Sequence, residues 1–286
     1  MPWHLKTKTL PLTNRPALMA IVNVTPDSFS DGGKFLSVDR AVDHAMQLVV
    51  DGADILDIGG ESTRPYSEPV SQSEELDRVV SVIERLVKET EIPISIDTSK
   101  AAVAKAALAA GAQIINDVTG LEGDSEMVSI AAESGAGVCA MHMQGSPQTM
   151  QDNPEYKDVV TEIIAYLRQR KEALLAAGIE PEKICLDPGI GFGKTHEHNI
   201  ELLNRADELH VLKSPILIGH SRKGFIGKLI GNKDCERDSG TLAITLMMAS
   251  KDIQIVRVHE VAATRRALKV WQGLVDGSEL PANENE

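Results

Sequence analysis

Aromatic side chains are scarce in this 286-residue chain, with two Trp, three Tyr and four Phe. A core drawn from such a pool is aliphatic, and a Phe in a loop stands out. Cysteine is nearly as rare. Cys139, Cys185 and Cys235 are an odd number that builds no disulfide framework, and two of them lie in apolar runs, as buried thiols of a reducing compartment do. Positive charge is in deficit: 29 basic against 42 acidic side chains give a formal charge of −13. That field repels phosphate, which excludes a general nucleic-acid or anionic-membrane binder and requires that any anionic substrate meet a local basic cluster. The first ten residues hold no apolar signal core, and no run approaches the roughly 18 apolar residues of a membrane span. The expectation is a cytoplasmic globular protein with neither nucleic acid nor membrane as partner.

What the chain does have is an ordinary soluble composition, 42% apolar and 25% charged, and a regular alternation of elements. Short runs that are apolar on both faces occur at 19–24, 55–58, 94–96, 114–118, 138–141, 184–186, 216–218 and 255–258, as for parallel strands buried between a core and a shell of helices. Between them lie helical patterns. One spans 73–90, with Leu76, Val79, Val80, Ile83, Leu86 and Val87 at helical spacing. Another is expected to start at a capping Asn153 with Pro154 in its first turn, to carry Val159, Ile163, Ile164 and Leu167 on one face, and to end at Gly178. The pairs Gly52-Ala53, Gly111-Ala112 and Gly135-Ala136 form a weak repeat in which a left-handed glycine ends a helix and leads into a strand. Eight strands and eight helices in alternation predict a single α/β domain, a (β/α)8 TIM barrel over 16–276, with an extension over 1–15 and a tail over 277–286. A doubly wound open sheet is the alternative.

On such a barrel the carboxyl ends of the strands surround the active site. Each predicted strand delivers a polar group there: Asn23, Asp57, Asp97, Asn116 with Asp117, His142, Asp187, the run from His220 to Lys223, and Arg257 with His259. Helix capping explains one or two of these but not eight. Asp97, Asn116 and Asp187 form an acceptor-rich set without a basic neighbour, suited to a ligand with a fork of N–H donors such as an amino-pyrimidinone ring. Arg64, Arg222, Lys223, Arg257 and His259, with Ser221 placed at a helix N-terminus, form an anion site. Asn23 offers an oxygen ligand to Mg²⁺.

Three look-alikes fail. The glycine run from Gly189 to Lys194 imitates a phosphate loop, yet Pro188 stands where the first glycine is required. Gly219 to Lys223 imitates a nucleophile elbow that lacks its closing glycine. His196 and His198, two apart on a helix, share no face for zinc. His142 fits either a site residue or a satisfied core histidine.

In chain order, the runs NVTPDSFSDGG (23–33), DIGGESTRP (57–65), IDT (96–98), INDV (115–118), MHMQG (141–145), LDPGIGFGK (186–194), SRK (221–223) and RVH (257–259) resemble those of the dihydropteroate synthase family. The resemblance implies condensation of 6-hydroxymethyl-7,8-dihydropterin diphosphate with p-aminobenzoate to 7,8-dihydropteroate and diphosphate, by a cytoplasmic, Mg²⁺-dependent homodimer that sulfonamides inhibit. It implies that Asp97, Asn116, Asp187 and Lys223 hold the pterin. Asn23, Thr63, Arg64, Arg257 and His259 would hold the diphosphate, Asn23 through the metal. Pro65, Phe192, Ser221 and Lys223 would line the p-aminobenzoate pocket. Asp97, Lys223, Arg257 and His259 would be the catalytic groups, and the segments around Gly32-Gly33 and 64–69 would close over the site as lids. Two departures fall on the p-aminobenzoate side: Tyr66 and Ser67 follow Arg-Pro where small residues are expected, and Gly224 stands where serine is common. The alternatives are a methyltetrahydrofolate-dependent methyltransferase, which leaves the basic cluster without a leaving diphosphate, and a non-catalytic pterin-binding paralogue.

Overall fold

A computed structural model describes residues 2–25, 34–62, 67–146 and 149–277. A hairpin of β1 (Trp3–His4) and β2 (Thr9–Leu10) precedes eight parallel strands: β3 (Ala17–Asn23), β4 (Ile55–Gly59), β5 (Ile94–Asp97), β6 (Ile114–Asp117), β7 (Gly137–Met141), β8 (Ile184–Asp187), β9 (Leu217–Ile218) and β10 (Ile255–Val258). They are ordered β8-β7-β6-β5-β4-β3-β10-β9, and a bridge between Leu186 and Ile216 closes β8 onto β9. The result is the expected barrel. The helices are α1 (Lys34–Val50), α2 (Gln72–Glu89), α3 (Ala101–Ala110), α4 (Met127–Ser134), α5 (Val159–Ala176), α6 (His196–Asn204), α7 (Gly224–Ile230), α8 (Asp238–Ser250) and α9 (Val261–Asp276). Among the described residues there is one more helix than the alternation predicts, because a left-handed Gly231 ends α7 and a second helix forms before β10. Among the described residues no helix is long and apolar enough to cross a membrane.

The period of two along each strand sorts the side chains and creates the site. Leu18, Ala20 and Val22 of β3, Leu56 and Ile58 of β4, Ile96 of β5, Ile115 of β6 and Val256 and Val258 of β10 belong to the outer core against the helices. The alternate positions point into the barrel. Its lower layer is apolar: Met19, Ile55, Ile114, Cys139, Cys185, Leu217 and Ile255 form one cluster. Two residues further along the same strands, the inward positions become Asp57, Asn116, Asp187 and Arg257. Asp97, two after the inward Ser95, joins them from β5. Cys139 and Cys185 are register partners across β7 and β8, both buried as free thiols.

The first residues are less of an appendage than the sequence suggests. Trp3 is fully buried in the lower cluster with Leu5, and its indole N–H donates to the Lys183 carbonyl at 3.0 Å. The hairpin thus plugs the floor of the barrel. Trp3→Ala is expected to cost about 3–5 kcal/mol by opening a cavity there. Urea unfolding checks this, and an unchanged midpoint would show the plug to be dispensable.

The helix predicted from Asn153 instead starts at Val159. Asp158 is its cap, accepting the Thr161 N–H at 2.8 Å, while Glu162 accepts the N–H groups of Lys157 and Asp158 at 2.7 and 3.1 Å. This reciprocal arrangement outcompetes Asn153, which adopts a left-handed φ of 71°. The glycines 52, 111 and 135 do take positive φ (100°, 115° and 66°) between helix and strand. The expected tail beyond Gly277 lies outside the described residues.

Candidate active site

Arg257 is the hub of the polar layer. From β10 its Nε donates to Asp57 Oδ2 at 2.6 Å and its Nη2 to Asp97 Oδ2 at 2.7 Å. Asn116 Nδ2 also donates to Asp57 Oδ2, at 3.1 Å. The acceptor set and the basic set are therefore not separate, as their sequence neighbours implied. A carboxylate carried into an apolar barrel requires a counter-charge, and β10 supplies it across the barrel. Burial still pushes the Asp97 carboxyl up to about 7 against the pull of Arg257, with Asp57 adding to the rise. The second oxygen of Asp57 is buried without a partner. Asp57 is the principal residue whose importance the sequence reading left unassigned, although its inward parity with Ile55 was available as a signal.

On the opposite wall, Asp187 Oδ1 accepts the Gly189 N–H at 2.7 Å. Burial raises this carboxyl to about 6, opposed by that bond and by Lys194, Lys223 and Arg257. Lys223 is lowered to about 8, first by burial and then by Arg257. Its Nζ lies 4.1 Å from the centroid of the Phe192 ring, a cation–π contact. Gly191 lets the lysine lie close, since a Cβ there would stand 3.0 Å from Lys223 Cδ.

Phe192 rides on a loop that several buried groups fix. Lys194, 2% exposed, donates to the Phe192 carbonyl at 2.8 Å and approaches His142 Nδ1 at 3.1 Å. Gln151 and Tyr156 donate to the carbonyls of Gly191 and Gly193 at 2.9 and 2.8 Å. At Gly189, with φ 70°, a Cβ would come within 2.0 Å of the His142 carbonyl oxygen, so only glycine fits. The His142 ring is buried beside this loop, with Lys194 at its Nδ1. Burial and then Lys194 lower it to about 3, and it packs edge-on against Tyr166. The sequence carries no signal for this role of Lys194, whose motif only imitates a phosphate loop.

Ser221 does not begin a helix: α7 starts at Gly224, with Lys223 in the cap position. Its hydroxyl lies 2.9 Å from His259 Nδ1 and accepts the His259 main-chain N–H at 3.3 Å. Assigned as donor to Nδ1, the hydroxyl leaves the imidazole proton on Nε2. Burial, with Arg222 and Arg257, lowers His259 to about 4, so it is neutral at pH 7. Arg222, grouped with the anion site by sequence, is instead paired with Asp238 at 2.6 and 2.8 Å on the rim. Its carboxylate partner lies on α8, beyond the reach of a local reading. Asp117 faces outward, accepting from Thr119 and Leu121 as a turn cap. His198 completes a capping box with Thr195.

Asn23 ends β3 opposite Gly59. A Cβ on Gly59 would stand 3.7 Å from Asp97 Oδ2 and 3.9 Å from Asn23 Oδ1, so the bare Cα leaves a niche flanked by two oxygens. Hard oxygen donors of this kind fit Mg²⁺, which keeps several waters and needs no protein cage. Among the described residues no group of three or more His, Cys, Asp or Glu forms such a cage. Thr63, Arg64 and Pro65, with the expected lid at Gly32-Gly33 and residues 64–66 of the other, lie outside the described residues.

A polar layer in the mouth of a (β/α)8 barrel, with Lys223 and Arg257 beside buried carboxylates, defines the class as a barrel enzyme acting on a small molecule. A family model described as pterin binding enzyme matches residues 19–259. The chain is similar to the dihydropteroate synthase of Escherichia coli (strain K12), 45% identical over 266 residues that cover 93% of this chain and 94% of that one. Among solved structures it resembles the Yersinia pestis dihydropteroate synthase with sulfonamide drug complex (TM-score 0.90, 43% identity, 96% of this chain and 100% of that one). It also resembles the Xanthomonas albilineans dihydropteroate synthase in complex with 7,8-dihydropteroate (TM-score 0.87, 42% identity, 98% and 100%). The chain belongs to the dihydropteroate synthase family of pterin-binding enzymes.

Proposed function

We propose that the chain condenses 6-hydroxymethyl-7,8-dihydropterin diphosphate with p-aminobenzoate, releasing diphosphate and forming 7,8-dihydropteroate. The observation that carries this reading is the buried Arg257 fork on Asp57 and Asp97, flanked by Asn116 and Asp187 and roofed by Lys223 on Phe192. Asp97, Asn116 and Asp187 offer acceptors to the N–H edge of the pterin, and Lys223 covers the ring. The bond from the exocyclic CH₂ to the diphosphate oxygen breaks, leaving a cation delocalised into the pterin. The Asp97 carboxylate beside that ring stabilises the cation.

Arg257 and the Nε2–H of His259, with Thr63 and Arg64, receive the charge that develops on the departing diphosphate. Asn23 would hold Mg²⁺, which when bound would supply neutralisation of the same charge. The aniline nitrogen of p-aminobenzoate then attacks the CH₂ from a slot lined by Pro65, Phe192, Ser221 and Lys223, and releases a proton. Sulfonamides compete for that slot. On this reading the protein is a cytoplasmic homodimer.

The test is diphosphate release by the purified protein with each of pterin substrate, p-aminobenzoate and Mg²⁺ omitted in turn. Release is expected to require the pterin substrate and Mg²⁺, and dihydropteroate to form only with p-aminobenzoate present. Tight pterin binding without release would overturn the reading in favour of a silent binder.

A further inference from the structure

The loop that carries Phe192 has little stiffness of its own. From Gly189 to Gly193 every second residue is glycine, and all three glycines take positive φ (70°, 82° and 60°). Such a backbone gives up much conformational entropy when it is held in one shape. Ile190 is anchored in the outer core, which leaves Phe192 as the side chain the loop offers to Lys223 in the barrel mouth. Three consecutive carbonyls, of Gly191, Phe192 and Gly193, each accept a side-chain donor, from Gln151, Lys194 and Tyr156. The main-chain N–H of Gly191 is taken as well, by Asn199 Oδ1 at 2.6 Å.

Lys194 is the unusual member of this set. Gln151 and Tyr156 are half-buried and bring neutral donors, whereas Lys194 carries an amine into the interior. Its hydrogen-bond partners there are a carbonyl and an imidazole nitrogen, so no direct contact with a carboxylate offsets its desolvation. A straight apolar side chain would fill the same space at less cost to the core. In either protonation state, however, Nζ carries an N–H for the Phe192 carbonyl, which an apolar residue cannot supply. The carbonyl it holds belongs to Phe192 itself, whose ring meets Lys223 and packs with Val118, Met141 and Met150.

We propose that Lys194 is a positioning residue for the second substrate: it holds the Phe192 carbonyl so that the ring stands fixed against Lys223 as the wall of the p-aminobenzoate slot. This rests on the assignment of Phe192 to that slot. Lys194 is itself buried and acts through Phe192. A competing role, as distant counter-charge to Asp187, would place the effect on the pterin instead.

The test compares wild type with Lys194→Met, Phe192→Leu and their double variant. Lys194→Met is expected to raise KM for p-aminobenzoate about tenfold, and the Ki of a sulfonamide in proportion. KM for dihydropterin diphosphate is expected to stay within about twofold. In the Phe192→Leu background, Lys194→Met is expected to add no more than about twofold for p-aminobenzoate, since the ring through which it acts is gone. Fluorine NMR of protein labelled with para-fluorophenylalanine gives a readout independent of turnover. The chain has four Phe, and Phe192→Leu identifies the Phe192 resonance by its loss. That resonance is expected to shift or broaden in Lys194→Met while the other three stay in place. If the orphaned His142 Nδ1 prevents Lys194→Met from folding, the pair Lys194→Met with His142→Phe carries the same comparisons. An unchanged KM for p-aminobenzoate would overturn the proposal. So would an equal rise for both substrates, a rise confined to the pterin substrate, or full additivity with Phe192→Leu. A wild-type protein without turnover would refute the synthase reading and leave the NMR comparison to decide, an unmoved Phe192 resonance then overturning the positioning role.

Discussion

Arg257→Met is expected to lower turnover on the order of 10³-fold and to destabilise the fold by about 3–5 kcal/mol. Both effects have one cause. Asp57 is fully buried and Asp97 nearly so, and the guanidinium is the hydrogen-bonded cation of both. Without it two carboxylates remain in the barrel uncompensated, and the Asp97 carboxyl, already raised to about 7 by burial, rises further. At pH 7 it would then be largely protonated, so the variant loses the carboxylate beside the ring as well as the cation beside the leaving group.

Arg257→Lys is expected to fall between, since an ammonium reaches one carboxylate where the fork reaches two. Adding Asp57→Asn to Arg257→Met is expected to recover part of the stability and none of the turnover. Urea unfolding and steady-state kinetics on the same preparations separate the two losses. Wild-type stability in Arg257→Met would show that the arginine is not the counter-ion of the pair.

The strands were legible because parallel barrel strands are buried on both faces, and a continuous apolar run survives in the sequence as such. Ile94 to Asp97 and Ile255 to Val258 fall within a residue of the expected spans for that reason. The polar groups that end those runs were legible too: Asp97, Asn116, Asp187 and Arg257 all stand in the inward layer. What stayed hidden were partners. Arg257 finds Asp57 and Asp97, 200 and 160 residues away, only because the barrel closes. Arg222 looked like part of the anion site until Asp238 of the unexpected extra helix took it. Ser221 and His259 are likewise neighbours only in three dimensions. The hairpin eluded the reading because two-residue strands carry no usable period, and Trp3 alone does not say what it fills.

Asp97→Asn is expected to leave the fold intact and to lower kcat about 10²- to 10³-fold. The amide oxygen can keep the bond from Arg257 Nη2, so the pocket keeps its shape while losing the negative charge that faces the developing pterin cation. The pH dependence makes the argument specific. In the free enzyme the Asp97 carboxyl is raised to about 7 and that of Asp187 to about 6, burial being the first cause in each. Both are needed ionised, so kcat/KM of wild type is expected to fall as pH drops through about 7 and again through about 6. Asp97→Asn is expected to lose the first limb and keep the second. Stability moves the other way. A carboxyl raised above its unfolded value of 3.8 binds its proton more tightly in the folded state, so between about pH 4 and 7 wild type loses stability as pH rises. The asparagine does not titrate. Relative to wild type, the variant is therefore expected to gain stability across that window, visible in urea midpoints at pH 4.5 and 7.5. Wild-type kcat at pH 7.5 in Asp97→Asn would remove the carboxylate from the cation-stabilising role. A relative stability that does not change with pH would remove the buried titration that explains the first limb.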